Sequence, residues 1–228
     1  MSMPFYVAPE QLMKDKADYA RKGIARGRSL AAVVCGEGIL ICAENPSNTL
    51  HKVSEIYDRI GFAGVGKFNE FDQLRIAGIR HADLKGYSYS REDVDARSLA
   101  NAYAQILGQI FTHEIKPMEV EILVAELATR QEDDRLYHIL YDGTVVDETR
   151  FIALGGDAET VADRLQESFG DSVRSFTSAL QASVAALAGP DRALDAEALE
   201  VAVLDRAAER RAFRRLTDAE VAGLLESH

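Results

Sequence analysis

Residues 8–43 read APEQLMKDKADYARKGIARGRSLAAVVCGEGILICA, a stretch that places a helix directly in front of a pair of strands. Pro9 and Glu10 open the helix, because proline is tolerated in a first helical turn and an acidic residue there complements the helix dipole. Apolar residues then recur at helical spacing and predict a helix over 9–24: Met13, Ala17, Ala20 and Ile24. The rest of the helix is charged, so only this narrow stripe is expected to be buried.

The strand pair that follows has the pattern of a β-hairpin. Two apolar runs at 30–35 and 39–43 flank a Gly-Glu-Gly turn at 36–38, which is typical of antiparallel strands joined by a tight connection. The two cysteines, Cys35 and Cys42, fall one on each strand. A disulfide framework is therefore excluded, and both are expected to be small core residues in a reducing compartment.

The remaining pattern alternates blocks of strands with pairs of helices. Apolar runs bounded by turn residues predict strands at 52–58, 60–65, 120–128, 136–141, 150–153 and 199–204. Helical spacing predicts helices at 67–79, 94–111, 160–168, 176–188 and 217–225, the last with Thr217 as N-cap and Glu220 completing a capping box. This arrangement indicates an α+β fold with two packed sheets, helices outside, and a single domain over residues 1–228.

Composition and charge exclude several functional classes. The 228 residues carry a formal net charge of -11, which argues against a nucleic-acid binder because such proteins present basic surfaces. The run of arginines at 206–215 is accordingly expected to be an interface or a solvated face. No apolar run approaches the roughly 20 residues of a membrane span, and the first residues lack a signal-peptide pattern, so no membrane partner and a cytoplasmic location are expected. The histidines lack metal-ligand spacing, so neither a metal nor a cofactor is predicted.

Several short stretches of this sequence occur in the same order in one protein family. They are Pro9-Glu10, 19–26 (YARKGIAR), 43–47 (AENPS), 52–58 (KVSEIYD) and 66–72 (GKFNEFD). Together they resemble the alpha-type subunits of the proteasome core particle, with a close match to the actinobacterial branch, and the similarity continues to residues 199–205. The resemblance implies the four-layer αββα sandwich of the N-terminal-nucleophile hydrolases with an extra N-terminal helix. Residues 1–8 would then be a pore tail, 9–24 the helix and 29–228 the sandwich.

A catalytic role for this chain conflicts with its N-terminal helix. Catalytic members of the fold use a Thr, Ser or Cys at the mature N-terminus as nucleophile and its own amine as base. Removal of Met1 would expose Ser2, but a whole helix stands between Ser2 and the first strand, where that amine must lie. Cleavage at Gly143-Thr144, the internal Gly-Thr pair, would split the predicted sheet. No catalytic residue is therefore expected, and an N-terminal-nucleophile hydrolase in its own right is kept as an alternative.

The resemblance gives the N-terminal tail a gating role at the axial pore. The gate residues it implies are Ser2, Met3, Pro4, Phe5 and Tyr6, although the Tyr-Asp-Arg triplet usual in the family is absent. The apolar bulk of Phe5 and Tyr6 favours a gate over the alternative of an ordinary frayed terminus.

Lys52 matches the lysine that the family uses in a pocket between neighbouring subunits, where the C-terminal carboxylate of an activating AAA ATPase binds. Gly27 matches a glycine of that pocket, and Gly66 and Lys67 fall nearby. A primary ammonium suits a carboxylate on a flexible tail, and the alternative is a solvent-exposed lysine at a strand end. The implied function is a non-catalytic subunit of a heptameric alpha ring, stacked on beta subunits that degrade unfolded or Pup-tagged proteins.

One motif points to another class of protein. Residues 61–67 read GFAGVGK and satisfy G-x-x-x-x-G-K, the phosphate-cradling loop of nucleotide-binding proteins. The next residue is Phe68, which has no hydroxyl to bind magnesium, and glycines among small apolar residues more often mark close strand packing. A nucleotide-binding protein is therefore the second alternative.

Overall fold

Two five-stranded antiparallel sheets form the centre of the structure, a computed structural model that describes residues 8–169 and 174–227. Their strands are β1 (Leu30–Cys35), β2 (Gly38–Glu44), β3 (Val53–Tyr57), β4 (Ile60–Gly66), β5 (Val120–Glu126), β6 (Arg135–Ile139), β7 (Val145–Glu148), β8 (Phe151–Leu154), β9 (Leu199–Asp205) and β10 (Phe213–Arg215). The first sheet has the order β10-β9-β2-β1-β8 and the second the order β3-β4-β5-β6-β7.

Helices cover the outer face of each sheet, and one further helix lies at an end of the sandwich. They are α1 (Pro9–Ile24), α2 (Phe68–Ser88), α3 (Ala96–His113), α4 (Ala158–Phe169), α5 (Phe176–Ala188) and α6 (Asp218–Glu226). Helices α4 and α5 pack on the first sheet, α2 and α3 pack on the second, and α6 packs against α5.

The layers follow from the alternation of side chains along the strands, since successive residues of a strand face opposite sides of the sheet. In β1, Ala31 and Val33 pack towards α4 and α5, whereas Ala32 belongs to the core between the sheets. In β4, Phe62 packs towards α2 and α3, whereas Ala63 faces the other sheet. The predicted four-layer αββα sandwich is confirmed.

Helix α1 lies at one end of the sandwich rather than on a face. Its buried residues Ala20 and Ile24 join the core between the sheets, and the helix contacts β4 and β5. Lys16 is buried, and its Nζ donates to the carbonyl oxygens of Phe111 at 3.0 Å and Glu114 at 2.7 Å, at the C-terminal end of α3. Because a cation there meets unpaired helix carbonyls, this contact fixes α1 against α3.

The element boundaries agree with the sequence prediction at most places and differ at three. The capping box of Thr217 and Glu220 at α6 is confirmed. Helix α2 runs on to Ser88, so its predicted end at residue 79 is wrong. Its later turns expose Leu84 and Tyr87, so they carry no buried stripe to detect. Strands β7 and β10 were not predicted: β7 is exposed throughout and β10 has 3 residues.

Candidate functional site

Lys52 lies just before β3, and two backbone carbonyls hold its ammonium group. The Nζ atom donates to the carbonyl oxygen of Arg28 at 2.7 Å and to that of Glu44 at 3.1 Å. Both acceptors are neutral, and a lysine ammonium has three hydrogens to donate. Within residues 8–169 and 174–227, one hydrogen therefore remains for a further acceptor.

Burial changes the protonation equilibrium of this lysine. Removal of the ammonium from water lowers the pKa of Lys52 to about 8; the carboxylates of Glu44 and Glu200 oppose this shift, and the Arg28 guanidinium adds to it. Lys52 is thus positively charged below about pH 8. A charge that is partly removed from water interacts more strongly with an arriving anion than an exposed one does.

Glu44, the last residue of β2, supplies one of those carbonyls and is itself fixed by two arginines. Arg192 donates to its two carboxylate oxygens at 3.1 and 3.2 Å, and Arg28 also pairs with the carboxylate. Burial opposes ionisation of Glu44, but the hydrogen bonds from Arg192 and Arg28 outweigh it and hold the pKa of its carboxyl below the usual range. The end of β2 therefore presents its carbonyl to Lys52 from a rigid position.

Two of the sequence-predicted pocket residues, Gly27 and Gly66, meet beside Lys52. A Cβ atom at Gly27 would lie 3.0 Å from the Gly66 nitrogen. Gly66 has φ +104°, and a Cβ there would lie 2.0 Å from the carbonyl oxygen of Glu119. Glycine at 27 thus allows the end of β4 to approach the segment between α1 and β1, whose Arg28 carbonyl binds Lys52. Glycine at 66 allows the end of β4 to pass close to the Glu119 backbone.

Lys67 is the fourth predicted pocket residue, and its ammonium pairs with α2 instead of with the group around Lys52. Its Nζ lies 3.5 Å from a carboxylate oxygen of Glu70, and its backbone nitrogen donates to the carbonyl oxygen of Glu119 at 2.9 Å. The structure therefore brings Gly27, Gly66 and Lys52 together and pairs Lys67 with the first turn of α2. The predicted gate residues Ser2, Met3, Pro4, Phe5 and Tyr6 lie outside the described residues.

A cavity of about 540 Å³ opens next to this group. Gly27, Arg28 and Glu44 line one side, and the first turns of α4 with the segment 187–192 line the other. The two residues whose carbonyls hold Lys52 are thus also cavity residues. A volume of this size falls in the range of ligand-binding clefts.

Sequence reasoning missed the residues that build the surroundings of Lys52. Glu200 accepts a hydrogen bond from the Lys52 backbone nitrogen at 2.8 Å although 148 positions separate the two residues. Glu44 lay within a matched family stretch, but nothing in that stretch indicated that Arg28 and Arg192 would bind it. Such long-range pairs leave no periodic signal in one sequence.

The nucleotide-binding alternative is wrong. Residues 60–66 are strand β4, which is hydrogen-bonded to β3 on one side and β5 on the other. Their backbone amides are therefore part of a sheet and do not form a phosphate cradle. Gly64 is required by packing, since a Cβ there would lie 2.5 Å from the Phe71 ring.

The basic run at 206–215 consists of arginines with acidic partners in the chain. The pairs are Arg206–Asp134, Arg210–Asp58, Arg211–Glu55, Arg214–Glu220 and Arg215–Glu200. These pairs connect β10 and its preceding turn to both sheets, and they leave little unpaired charge for a polyanion.

The described ranges contain neither a metal-binding cluster nor a helix that could cross a membrane. Across residues 8–169 and 174–227, no group of three or more His, Cys, Asp or Glu side chains could hold a metal ion. None of the helices in these ranges is both long and apolar enough to span a bilayer.

Comparison with known proteins agrees with this architecture. The family model described as "Proteasome subunit" matches residues 24–203. A "Proteasome subunit alpha" of Acidimicrobium ferrooxidans is 64% identical over 221 residues, covering 97% of this chain and 95% of the relative. Proteins of the same name from Xylanimonas cellulosilytica and Kineococcus radiotolerans are each 56% identical, covering 96% and 99% of this chain and 94% and 98% of the relatives.

This helix-flanked double sheet, with a helix ahead of its first strand, has the αββα architecture of the N-terminal-nucleophile hydrolases. With the comparisons above, the chain belongs to the proteasome subunit family, among its alpha-type members. The expected role as a non-catalytic alpha-ring subunit of a protein-degrading complex is thereby confirmed, as is assembly with other proteasome subunits.

Proposed function

We propose that this subunit controls the passage of substrates into the proteasome in two ways. Residues 1–8 close the axial pore of a heptameric alpha ring, and the site around Lys52 binds the C-terminal carboxylate of a ring-shaped AAA ATPase. The ring stacks on beta subunits that carry the threonine nucleophile. The complex works in the cytoplasm on unfolded proteins, including those tagged with the ubiquitin-like protein Pup.

One observation carries the docking part of this proposal: the ammonium of Lys52 is partly buried, and its acceptors among the described residues are two neutral carbonyls. A surface lysine at a strand end, the competing interpretation, would extend into water and keep an ordinary pKa. Lys52 instead turns back towards the protein, and burial lowers its pKa to about 8. Within the part of the chain that the structure describes, a positive charge is thus kept out of water without a direct carboxylate partner, an arrangement that favours an anionic ligand.

The adjoining cavity supports a chain end as that ligand. It shares Arg28 and Glu44 with the surroundings of Lys52, and its volume of about 540 Å³ accommodates a few residues of an extended peptide. A charge-assisted hydrogen bond between the ammonium and a terminal carboxylate contributes about 1.5–3 kcal/mol. Several sites on one ring would bind several tails of one ATPase, so the total affinity exceeds that of a single tail.

The test uses assembled particles and a short peptide with the C-terminal sequence of the ATPase, prepared with a free carboxylate and as an amide. Wild-type particles should bind the acid form, and Lys52→Ala should weaken that binding by roughly tenfold or more per site. Lys52→Arg should also bind poorly, because a planar guanidinium does not fit the position of an ammonium between two carbonyls. Exposed Lys22 in α1 offers a matched control, since Lys22→Ala removes the same charge without touching the site.

The outcome that contradicts the docking proposal is equal binding of the acid peptide by wild type, Lys52→Ala and Lys22→Ala. Equal binding of the acid and amide forms by wild type would also contradict the proposal, because the ammonium would then make no favourable interaction with the terminal carboxylate. Peptide hydrolysis without ATPase should be the same in all variants, which verifies that assembly and the beta active sites are intact.

A further inference from the structure

The segment between β2 and β3, residues 45–52, carries Lys52 and is here termed the pocket loop. It has no strand or helix of its own, so its shape depends on side-chain hydrogen bonds. Asn45 provides two of them: its Nδ2 donates to the carbonyl oxygen of Leu50 at 2.8 Å, and its Oδ1 accepts from the Ser47 nitrogen at 3.1 Å. These bonds close the loop on itself but do not fix it to the sandwich.

Backbone bonds hold the two ends of the loop: the Asn45 nitrogen donates to the carbonyl oxygen of Ala198 at 2.8 Å, and the Gly64 nitrogen donates to the carbonyl oxygen of Lys52 at 3.0 Å. Glu200 adds a side-chain connection between these two ends. It lies in β9 of the first sheet with its side chain buried, and its carboxylate reaches the start of β3 in the second sheet. Its Oε2 accepts from the Lys52 nitrogen and from Asn45 Nδ2, both at 2.8 Å, and its Oε1 accepts from the Val53 nitrogen at 3.3 Å. One buried carboxylate therefore binds the first and the last residue of the pocket loop.

Arg215 and His51 complete the surroundings of Glu200. Arg215 Nη2 lies 3.1 Å and His51 Nδ1 3.3 Å from its Oε1 atom. A carboxylate accepts about four hydrogen bonds, and this one accepts four, from Asn45 Nδ2, the Lys52 and Val53 nitrogens and Arg215 Nη2. Breaking such a buried, charged network by removing one partner is costly, so the loop has a single well-defined position.

We propose that Glu200 is the positioning residue of the Lys52 site. From the opposite sheet it fixes the pocket loop, and thereby sets where the Lys52 ammonium lies between the Arg28 and Glu44 carbonyls and how it meets a carboxylate ligand. The nature of that ligand rests on the proposed function, whereas the fixed position of the ammonium does not.

The test measures Lys52 directly, without any activator. Competitive acetylation of amines in assembled particles at a series of pH values, read by mass spectrometry, gives the apparent pKa of each lysine. In Glu200→Gln an amide NH2 replaces one carboxylate oxygen and faces N–H donors, so the loop should loosen and Lys52 should reach water. Because burial is the largest cause of the lowered pKa, that pKa should rise from about 8 towards 10.5.

The direction of the shift separates positioning from a simple charge effect. The charged and titratable groups that face Lys52 or its partners are Glu44, Glu200, Arg28, His51, Arg192 and Arg215. If Glu200 acted only through its charge, its neutralisation would lower the pKa of Lys52 further. A fall, or a pKa equal to that of wild type, would therefore overturn the inference.

Two further variants keep the test decisive. Asn45→Ala leaves the charge of Glu200 in place but removes the tie at the other end of the loop, so it should also raise the pKa of Lys52. If particles with Glu200→Gln do not assemble, the pKa of Lys52 in Asn45→Ala tests whether the loop positions the ammonium. Glu197→Gln removes an exposed carboxylate three residues away and should leave Lys52 as in wild type.

Binding of the acid peptide supplies the functional readout. Both Glu200→Gln and Asn45→Ala should weaken it by roughly tenfold, as expected for a charged site that has lost its geometry. If Lys52→Ala leaves peptide binding intact while Glu200→Gln raises the pKa of Lys52, the docking proposal fails and the positioning role of Glu200 stands. The two ideas are thus judged separately.

Discussion

At the scale of single residues, the charge of Lys52 gives the proposed site a pH dependence. The pKa of Lys52 is lowered to about 8, so its ammonium is charged below that pH and loses its proton as the pH rises through it. A terminal carboxylate is ionised throughout this range. Binding of the acid peptide should therefore be strongest below pH 8 and weaken above it, as measured by titrations on either side of that value.

Lys52→Arg is the control for this pH dependence, since arginine remains charged at every accessible pH. Its binding, although weaker, should not change around pH 8. A wild-type profile that is flat across this range would mean that Lys52 does not carry the interaction.

Gly66 has a backbone conformation that other residues avoid. Its φ is +104°, and a Cβ would lie 2.0 Å from the backbone oxygen of Glu119. Gly66→Ala should therefore lower the free energy of unfolding by about 2 kcal/mol or more, from strain and overpacking together. Gly223→Ala is the matched control: nothing lies within 4 Å of that position in α6, and alanine there should raise stability by about 0.5–1 kcal/mol. Urea unfolding of both variants at one protein concentration measures the difference, and equal stabilities would contradict the assigned backbone constraint.

At the scale of elements, the sequence predicts those helices and strands whose bounds are marked by local residue patterns. Helix α1 is correct to the residue because Pro9 marks its start and its apolar stripe ends at Ile24. Strand β10 escapes prediction because its three residues, Phe213 to Arg215, depend on pairing with β9, which is a long-range property. Helix α2 is underpredicted because its last turns are exposed.

The candidate site was also predictable only in part from the sequence. Resemblance singled out Lys52 and Gly27, and the structure brings them together with Gly66. The position and the pKa of Lys52 depend on its contacts with Glu200 and Arg28. Both residues are far from Lys52 in the sequence, so no local pattern indicates these contacts. A family match can therefore name a residue, whereas its partners and its pKa come only from the folded chain.

The proposed function assigns the gating of the pore to the segment ahead of α1. Deletion of residues 2–8 should raise hydrolysis of peptides and unfolded protein by the assembled particle, because an apolar segment ahead of α1 would no longer occlude the pore. Labelling of the beta active sites by a covalent inhibitor should be unchanged. Hydrolysis rates equal to wild type would show that the segment does not gate.

At the scale of the whole molecule, α1 occupies the end of the sandwich at which the chain enters β1. Helix α1 inserts Ala20 and Ile24 into the core between the sheets and is tied to α3 through Lys16. A nucleophile with a free amine needs access at the start of β1, and α1 is bonded to the chain just before that strand. The fold thus keeps the architecture of a hydrolase while its N-terminal helix prevents the chemistry.

One purification experiment tests whether this chain builds a ring and leaves the catalysis to other subunits. The chain is purified alone and together with a beta-type proteasome subunit, and particle size and peptidase activity are measured. We expect no activity for the chain alone, a stacked-ring particle with activity when the beta subunit is present, and unchanged activity in that particle for Ser2→Ala. Peptidase activity of the chain alone that disappears in Ser2→Ala would contradict this division of roles.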